Sequence, residues 1–234
     1  MLGWACAVAF TVIYVMNPRI YYLWPAFPIL QAGGAVLWER WLARPKLAWI
    51  QYAYPVLMIV MGVVLAPMML PVLPVETYLR YAKTMHMETP AIEKWQTGPL
   101  PQIYASEFGW PEMVETVAGV YNSLPADVRP STAIFGQNFG QAGAIDLLGP
   151  KYGLPNALSG HQNYFLWGPR GYTGQSVILF GGNQEHWQQY YAFVEKRAHV
   201  SHPYSMPREQ FDVFYCRGPK MTMDQMWPTV KNWH

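Results

Sequence analysis

The segment 159–169 holds the densest group of potential ligand-binding side chains in this sequence. It places an imidazole, two amides and two large aromatic rings close together, in the order His161, Gln162, Asn163, Tyr164 and Trp167. Carbohydrate sites use this mixture, because amides hydrogen-bond to hydroxyl groups and aromatic rings stack on the faces of sugars. A structured loop whose polar groups cap one another would use the same residues, so composition alone leaves both interpretations open.

A second polar segment, 136–140, follows the predicted strand 132–135 and contributes Asn138. In open α/β sheets ligands bind beyond the carboxyl ends of the strands, and both polar segments follow predicted strands. We therefore expect Asn138 and the five side chains of segment 159–169 to form a site for a sugar or a sugar acceptor.

Near the N-terminus, Arg19 stands beside Tyr21, Tyr22 and Trp24. The guanidinium fork of arginine suits a phosphate group, and neighbouring tyrosine hydroxyls can add hydrogen bonds. This pattern predicts a site for an anionic headgroup. An aromatic belt at the membrane surface with a snorkelling arginine would show the same residues.

Several classes of function find no support in the sequence. The net charge of +2 is too small for a nucleic-acid partner, which needs a basic face or stripe. No zinc-type cysteine and histidine spacing, serine-hydrolase motif or phosphate-binding loop occurs. We assign no catalytic residue, metal or cofactor, and we expect no disulfide between Cys6 and Cys216.

Three uncharged apolar stretches, 2–16, 20–38 and 47–73, precede the polar part of the chain. Crossing about 30 Å of hydrocarbon takes roughly 20 helical residues. The second and third stretches meet this length, and the first is shorter. We therefore expect a membrane block over residues 1–74 with two complete helices and one truncated helix, in a chain that starts inside a helix.

The short loops predict the orientation of this block. The loop 39–46 carries three basic residues, Arg40, Arg44 and Lys46, whereas the loop 17–19 carries only Arg19. Because basic loops stay in the cytoplasm, everything after residue 73 is expected on the outer side of the membrane.

The remainder is predicted as a juxtamembrane connection, 75–104, and an extracytoplasmic α/β domain, 105–234. Helices are expected at 107–124, 141–148, 184–196 and 223–233. Strands are expected at 132–135, 156–159, 176–180, 197–201 and 211–216. Alternation of strands with helices favours a mostly parallel sheet.

The run 19–28, Arg-Ile-Tyr-Tyr-Leu-Trp-Pro-Ala-Phe-Pro, resembles the K-x-Y-Y-L-x-P-x-Y-P motif of bacterial family 39 membrane glycosyltransferases. These are relatives of the protein O-mannosyltransferases. The blocks 108–112, 138–146, 159–164 and 167–169 are similar to the C-terminal domain of one bacterial branch, in the same order. The resemblance covers nearly the whole chain and does not specify a substrate.

This resemblance implies a multi-pass enzyme of the GT-C type in the bacterial inner membrane, surrounded by membrane lipids. Such enzymes move a sugar from a polyprenyl-phosphate carrier to a lipid, glycan or protein acceptor outside the cytoplasm. The family has lysine at the position of Arg19, so Arg19 would contact the carrier phosphate, and Tyr21 and Tyr22 would line the same site. The catalytic acid of the family lies upstream of the matching blocks, so we expect the isolated chain to be inactive.

Two other functions remain open at this point. The chain would also fit a membrane-tethered, non-catalytic module that binds carbohydrate through segment 161–167. A third possibility is a domain that only assembles with partner membrane proteins. An acidic residue in an outer loop upstream of the matching blocks would favour the enzyme over both.

Overall fold

The structure, a computed structural model, describes residues 2–16, 22, 24–25, 27–86 and 98–233. The chain divides into two compact units, Met1–Tyr104 and Ala105–His234. The first unit contains helices α1 (Leu2–Met16), α2 (Phe27–Leu42), α3 (Ile50–Met69) and α4 (Val75–Thr84). Helix α5 (Gln102–Ala105) ends at the division between the units.

Helix α3 is the one helix within the described residues that is long and apolar enough to cross a membrane. It contains 20 residues, and Met68 is its only buried side chain. Pro55 and Pro67 lie inside it. Helix α1 has a shorter apolar part, Cys6–Met16. The expectation of two complete membrane helices is therefore not confirmed, whereas the third apolar stretch does form one long helix.

The second apolar stretch forms a helix that differs from the predicted one. Helix α2 begins at Phe27 and runs for 16 residues, so its last turns contain Glu39 and Arg40. Pro28 lies in the first turn, where the missing backbone N–H has no helical partner to lose. Pro28 therefore fits the start of the helix.

Helix α4 packs against α3 within the first unit. The hydroxyl of Tyr78, which is 1% exposed, donates to the sulfur of Met68 over 3.8 Å. The hydroxyl of Tyr81 donates to the main-chain carbonyl of Val64. These two contacts explain how the chain turns back after α3 ends at Met69.

The second unit is a four-stranded sheet with helices. Its strands are β1 (Thr132–Phe135), β2 (Ser176–Phe180), β3 (Tyr191–Val200) and β4 (Phe211–Pro219), in the spatial order β1-β2-β4-β3. Its longer helices are α6 (Trp110–Asn122) and α7 (Phe139–Leu148). Its single-turn helices are α8 (Asn163–Leu166), α9 (Gln184–Gln188) and α10 (Met223–Met226).

The prediction of a mostly parallel sheet is wrong. Only β1 and β2 pair in parallel, with Ile134 opposite Ile178. Strand β4 pairs antiparallel with both β2 and β3. The error comes from segment 184–196, which was expected to be one helix. It forms the short helix α9 and then most of β3, which pairs with β4 as a simple antiparallel neighbour.

Other element predictions are confirmed or corrected locally. Strands β1 and β2 match the predicted strands, and α6, α7 and β4 differ from the predictions only at their ends. The predicted strand 156–159 is reduced to one bridge between Phe135 and Leu158. The predicted closing helix 223–233 is replaced by α10 and a 3₁₀ turn, Trp227–Val230.

The two faces of the sheet bury different sets of side chains. The helix face packs against α6 and α7 through Ile134, Ile178, Phe180, Val213 and Tyr215. The opposite face, which we call the cap face, packs against Leu158 and against Met226 of α10. It does so through Ala133, Val177, Leu179, Phe214 and Cys216. Alternation along β1 and β2 produces this division, because successive strand side chains point to opposite faces.

A β-bulge in β3 changes which side chains reach the helix face. Lys196 pairs with Phe214, whereas Ala198 pairs with Val213, so Arg197 is the extra residue. The insertion reverses the alternation along the strand. As a result Ala198 and Val200 pack into the same cluster as α6.

Candidate functional site

Segment 159–162 is fixed by the C-terminal strand-like segment of the second unit. The backbone N–H of Gln162 donates to the carbonyl of Asn232 over 2.9 Å, and the N–H of Asn232 donates to the carbonyl of Gly160 over 2.8 Å. Ser159 is fully buried, and its hydroxyl accepts from the N–H of His161. The loop therefore has a rigid base in the domain core.

Asn138 has a structural role at the start of α7. Its side-chain oxygen accepts from the N–H of Gln141 over 2.9 Å, which makes it the N-cap of the helix. Its side-chain nitrogen donates to Glu209 over 3.3 Å. The buried side chain of Gln141 donates to the other oxygen of Glu209 over 2.7 Å. Binding of a sugar by Asn138 stays a prediction.

His161 is only 8% exposed and lies against the start of α7. Its Nδ1 accepts from the N–H of Phe139 over 3.3 Å, and the two rings are 5.0 Å apart. The imidazole therefore holds the loop against α7. Asn138 and His161 are thus both engaged within the domain, at the start of α7.

Tyr164 is clamped by Asp146, a residue of α7. The Tyr164 hydroxyl donates to Asp146 Oδ2 over 3.0 Å, and Asp146 Oδ1 accepts from the N–H of Ala157 over 2.7 Å. Burial, followed by this hydrogen bond, raises the pKa of Tyr164 to about 12. The guanidinium of Arg170 lies 3.6 Å from Asp146 Oδ2, and its positive charge balances the charge of the carboxylate. The carboxylate is thus a positioning group for the Tyr164 ring.

Trp167 forms the exposed surface of this cluster. Its ring is 56% exposed and lies 4.7 Å from the Tyr164 ring. The Arg170 guanidinium lies 5.4 Å from the centre of the Trp167 ring, within cation–π distance. With these two neighbours packed beside it, the indole keeps more than half of its surface exposed to solvent.

The amides of Gln162 and Asn163 are exposed near the start of α8. Within the described residues, neither side-chain amide takes part in a hydrogen bond. Gln162 has φ 50° and Arg170 has φ 51°, a left-handed backbone that non-glycine residues rarely adopt. Such strain is concentrated at functional sites. We call Gln162, Asn163, Tyr164 and Trp167 the loop platform.

The predicted headgroup site is only partly within the described residues. Arg19 and Tyr21 lie outside them. Tyr22 is 54% exposed. Their role in binding a phosphate stays a prediction.

Two residues that contact the loop platform, Asp146 and Arg170, were not identified from the sequence. Asp146 lies 18 positions from Tyr164 on a different element, so no local spacing connects them. Both residues do fall within or next to the family-like blocks 138–146 and 167–169, which was the available clue. Among the described residues, no group of three or more His, Cys, Asp or Glu side chains could hold a metal ion.

The structure also shows a cavity that no sequence pattern indicated. It has a volume of about 320 Å³ and lies between the cap face and the C-terminal segment 223–232. Of the two polar segments predicted to bind ligands, 136–140 contributes Gln137 to its lining and 159–169 contributes Gly160. None of the six predicted sugar-binding residues lines it. We call this space the cap cavity.

Comparison of the chain with protein-family models, with curated proteins and with solved structures gives no match.

Proposed function

We propose that the chain is part of an integral-membrane glycosyltransferase of the bacterial inner membrane. It would move a sugar from a polyprenyl-phosphate carrier to an acceptor outside the cytoplasm. The proposal is supported by the family-like blocks of the sequence and by α3, which is long and apolar enough to cross a membrane. In this proposal the α/β domain binds the sugar part of the acceptor on the loop platform.

The observation that carries the binding proposal is the fixed, exposed indole of Trp167. Sugars present an apolar face of C–H groups, and an aromatic plane that is already ordered binds it at low entropic cost. The exposed amides of Gln162 and Asn163 come about one helical turn before Trp167 and can bond hydroxyls of a sugar. Because Asp146 and Arg170 hold the rings, the platform exists before any ligand arrives.

Sugar binding to the whole chain in lipid nanodiscs tests this proposal. Saturation-transfer NMR with a panel of hexoses, aminosugars and short glycans should show contact with the chain. Trp167→Ala should weaken binding about tenfold, corresponding to about 1.4 kcal/mol of lost stacking. Trp233→Ala is the matched control, because Trp233 is also exposed but lies outside the platform.

Equal binding by the two variants would remove the platform from the proposal. Absence of contact with every sugar in the panel would contradict carbohydrate recognition altogether. Sugar binding, together with an acidic residue in an outer loop upstream of the matching blocks, would favour the enzyme over a non-catalytic binding module.

A further inference from the structure

The floor of the cap cavity is made of hydrocarbon. Ala133, Val177 and Leu179 project into it from β1 and β2, and each is at most 4% exposed. Leu158, which is 2% exposed, lies beside them. The deepest part of the cavity therefore offers a ligand no hydrogen-bonding group from these side chains.

Two tryptophans form part of the cavity wall, and their polar atoms are already engaged. Trp187 donates its indole N–H to the carbonyl of Gly181 over 2.8 Å. Trp227 donates its indole N–H to the carbonyl of Phe165 over 3.2 Å. Both indoles therefore present only ring surface to the cavity. A sugar hydroxyl buried against the floor or these indoles would find no partner among them, which is costly.

Polar and exposed side chains are concentrated at the rim. Gln137, His186 and Thr229 line the cavity and are exposed to solvent. The cavity is thus apolar at its floor and polar at its opening. This gradient matches an amphiphile that inserts its chain and leaves its polar end outside.

We propose that the cap cavity binds the hydrocarbon chain of a lipid, with the polar end of that lipid at the rim beside His186. The volume of about 320 Å³ is at the lower end of ligand pockets, which suits one chain segment. Met223 and Met226 line the cavity and adapt easily to flexible chains. Helix α3 of the same chain is long and apolar enough to cross a membrane, which would be a source of lipid.

The hydrocarbon has two possible sources, a fatty acyl chain and an isoprenoid chain. Both chains present hydrocarbon to the apolar floor of the cavity, and two different crosslinking probes distinguish them. The inference does not depend on the loop platform or on sugar transfer, because it uses neither the platform residues nor the family resemblance.

Photo-crosslinking of the whole chain in nanodiscs tests the proposal. One probe is a saturated fatty acid with a diazirine near its chain end, and the other is a short isoprenyl phosphate with the same group. Mass spectrometry should place adducts on Ala133, Val177 or Met226. Labelling by only one probe identifies the source, and labelling by both shows recognition of hydrocarbon in general.

Thr229→Phe, which narrows the opening, should reduce these adducts about tenfold, corresponding to about 1.4 kcal/mol. Thr173→Phe is the control, since Thr173 is exposed and outside the cavity, and it should label like the unchanged chain. Ala133→Leu fills part of the cavity floor, away from the opening, and should reduce the adducts to a similar extent. Adducts confined to residues 2–86, or unchanged labelling in Thr229→Phe, would overturn the proposal.

A competition measurement uses the unchanged chain and does not depend on any variant folding. Excess dodecanoic acid or geraniol should suppress labelling of the cavity residues, and excess glucose should not. Suppression by glucose with no effect of either apolar competitor would overturn the assignment of a hydrocarbon ligand.

Discussion

The main-chain carbonyl oxygen of Val230 occupies the position that a side-chain carbon at Gly160 would need. The C-terminal segment passes directly over this glycine, and hydrogen bonds to both Gly160 and Gln162 hold it there. The close contact joins two parts of the domain that are far apart in sequence. Gly160 and Val230 both line the cap cavity, and Gln162 of the loop platform bonds to the same C-terminal segment.

Gly160→Ala is therefore expected to lower the free energy of unfolding by about 1–3 kcal/mol, the usual cost of overpacking. Thermal or denaturant unfolding of the whole chain measures the change. Gly119→Ala in α6 is the control, because nothing lies within 4 Å of its added carbon. Alanine there should stabilise by about 0.5–1 kcal/mol. Equal midpoints for the two variants would show that the C-terminal segment can move aside.

The Tyr164–Asp146 contact predicts a pH effect on the alkaline side. The folded domain raises the Tyr164 pKa from 10.0 to about 12, so folding favours the neutral phenol. This stabilisation is fully present below pH 10.0 and is lost as the pH rises through about 12. Asp146→Asn should lower the Tyr164 pKa only in part, because burial is the largest cause.

Carbon-13 NMR of ring-labelled tyrosine measures this pKa, with Tyr164→Phe to assign the resonance. A Tyr164 pKa that stays at about 12 in Asp146→Asn would show that burial accounts for the whole shift.

Asp212 predicts a smaller effect on the acid side. Hydrogen bonds from Lys196 first and His199 second lower the pKa of this carboxyl below its ordinary 3.8. Its contribution to stability is present above pH 3.8 and is lost as the pH falls through the lower folded value. The side chains are partly exposed, so the contribution is about 0.2–1 kcal/mol.

Asp212→Asn should therefore flatten the acid limb of a stability-against-pH curve. Asp127→Asn, at an exposed position in the loop after α6, should leave that limb unchanged. The same loss of slope in both variants would assign the effect to net charge and not to the Lys196 and His199 contacts.

Arg19 is predicted to bind the phosphate of the sugar carrier. In the full-length protein, Arg19→Ala should weaken the apparent affinity for a polyprenyl-phosphate sugar about tenfold or more, since hydrogen bonds to charged groups contribute about 1.5–3 kcal/mol. Arg19→Lys keeps the charge and should be largely tolerated. Arg44→Ala, in the loop expected on the opposite side, is the control. An unchanged affinity in Arg19→Ala would remove the phosphate role.

The contrast between β2 and β3 shows how far sequence patterns reach. Strand β2 was predictable because its apolar run ends at Gly181-Gly182, a local stop. Strand β3 was not, because Trp187, Tyr190, Tyr191 and Val194 follow the spacing of a helix face. Pairing with β4 overrides that spacing, and pairing is a long-range property.

The candidate sites show the same limit. The loop platform was accessible from sequence because its four residues lie within six positions. The residues that hold it, Asp146 and Arg170, come from α7 and from beyond α8, and only the fold brings them together. The cap cavity was inaccessible because its floor, walls and rim come from distant segments that no local pattern connects.

The bulge at Arg197 affects whether two copies of this protein can associate through the edge of the sheet. Strand β3 is the last strand of the sheet, so its outer backbone groups have no neighbouring strand within the described residues. The bulge interrupts that edge, and Glu195, Lys196 and Arg197 place charges along it. A second copy adding its own strand there would meet an irregular, charged border, which disfavours aggregation.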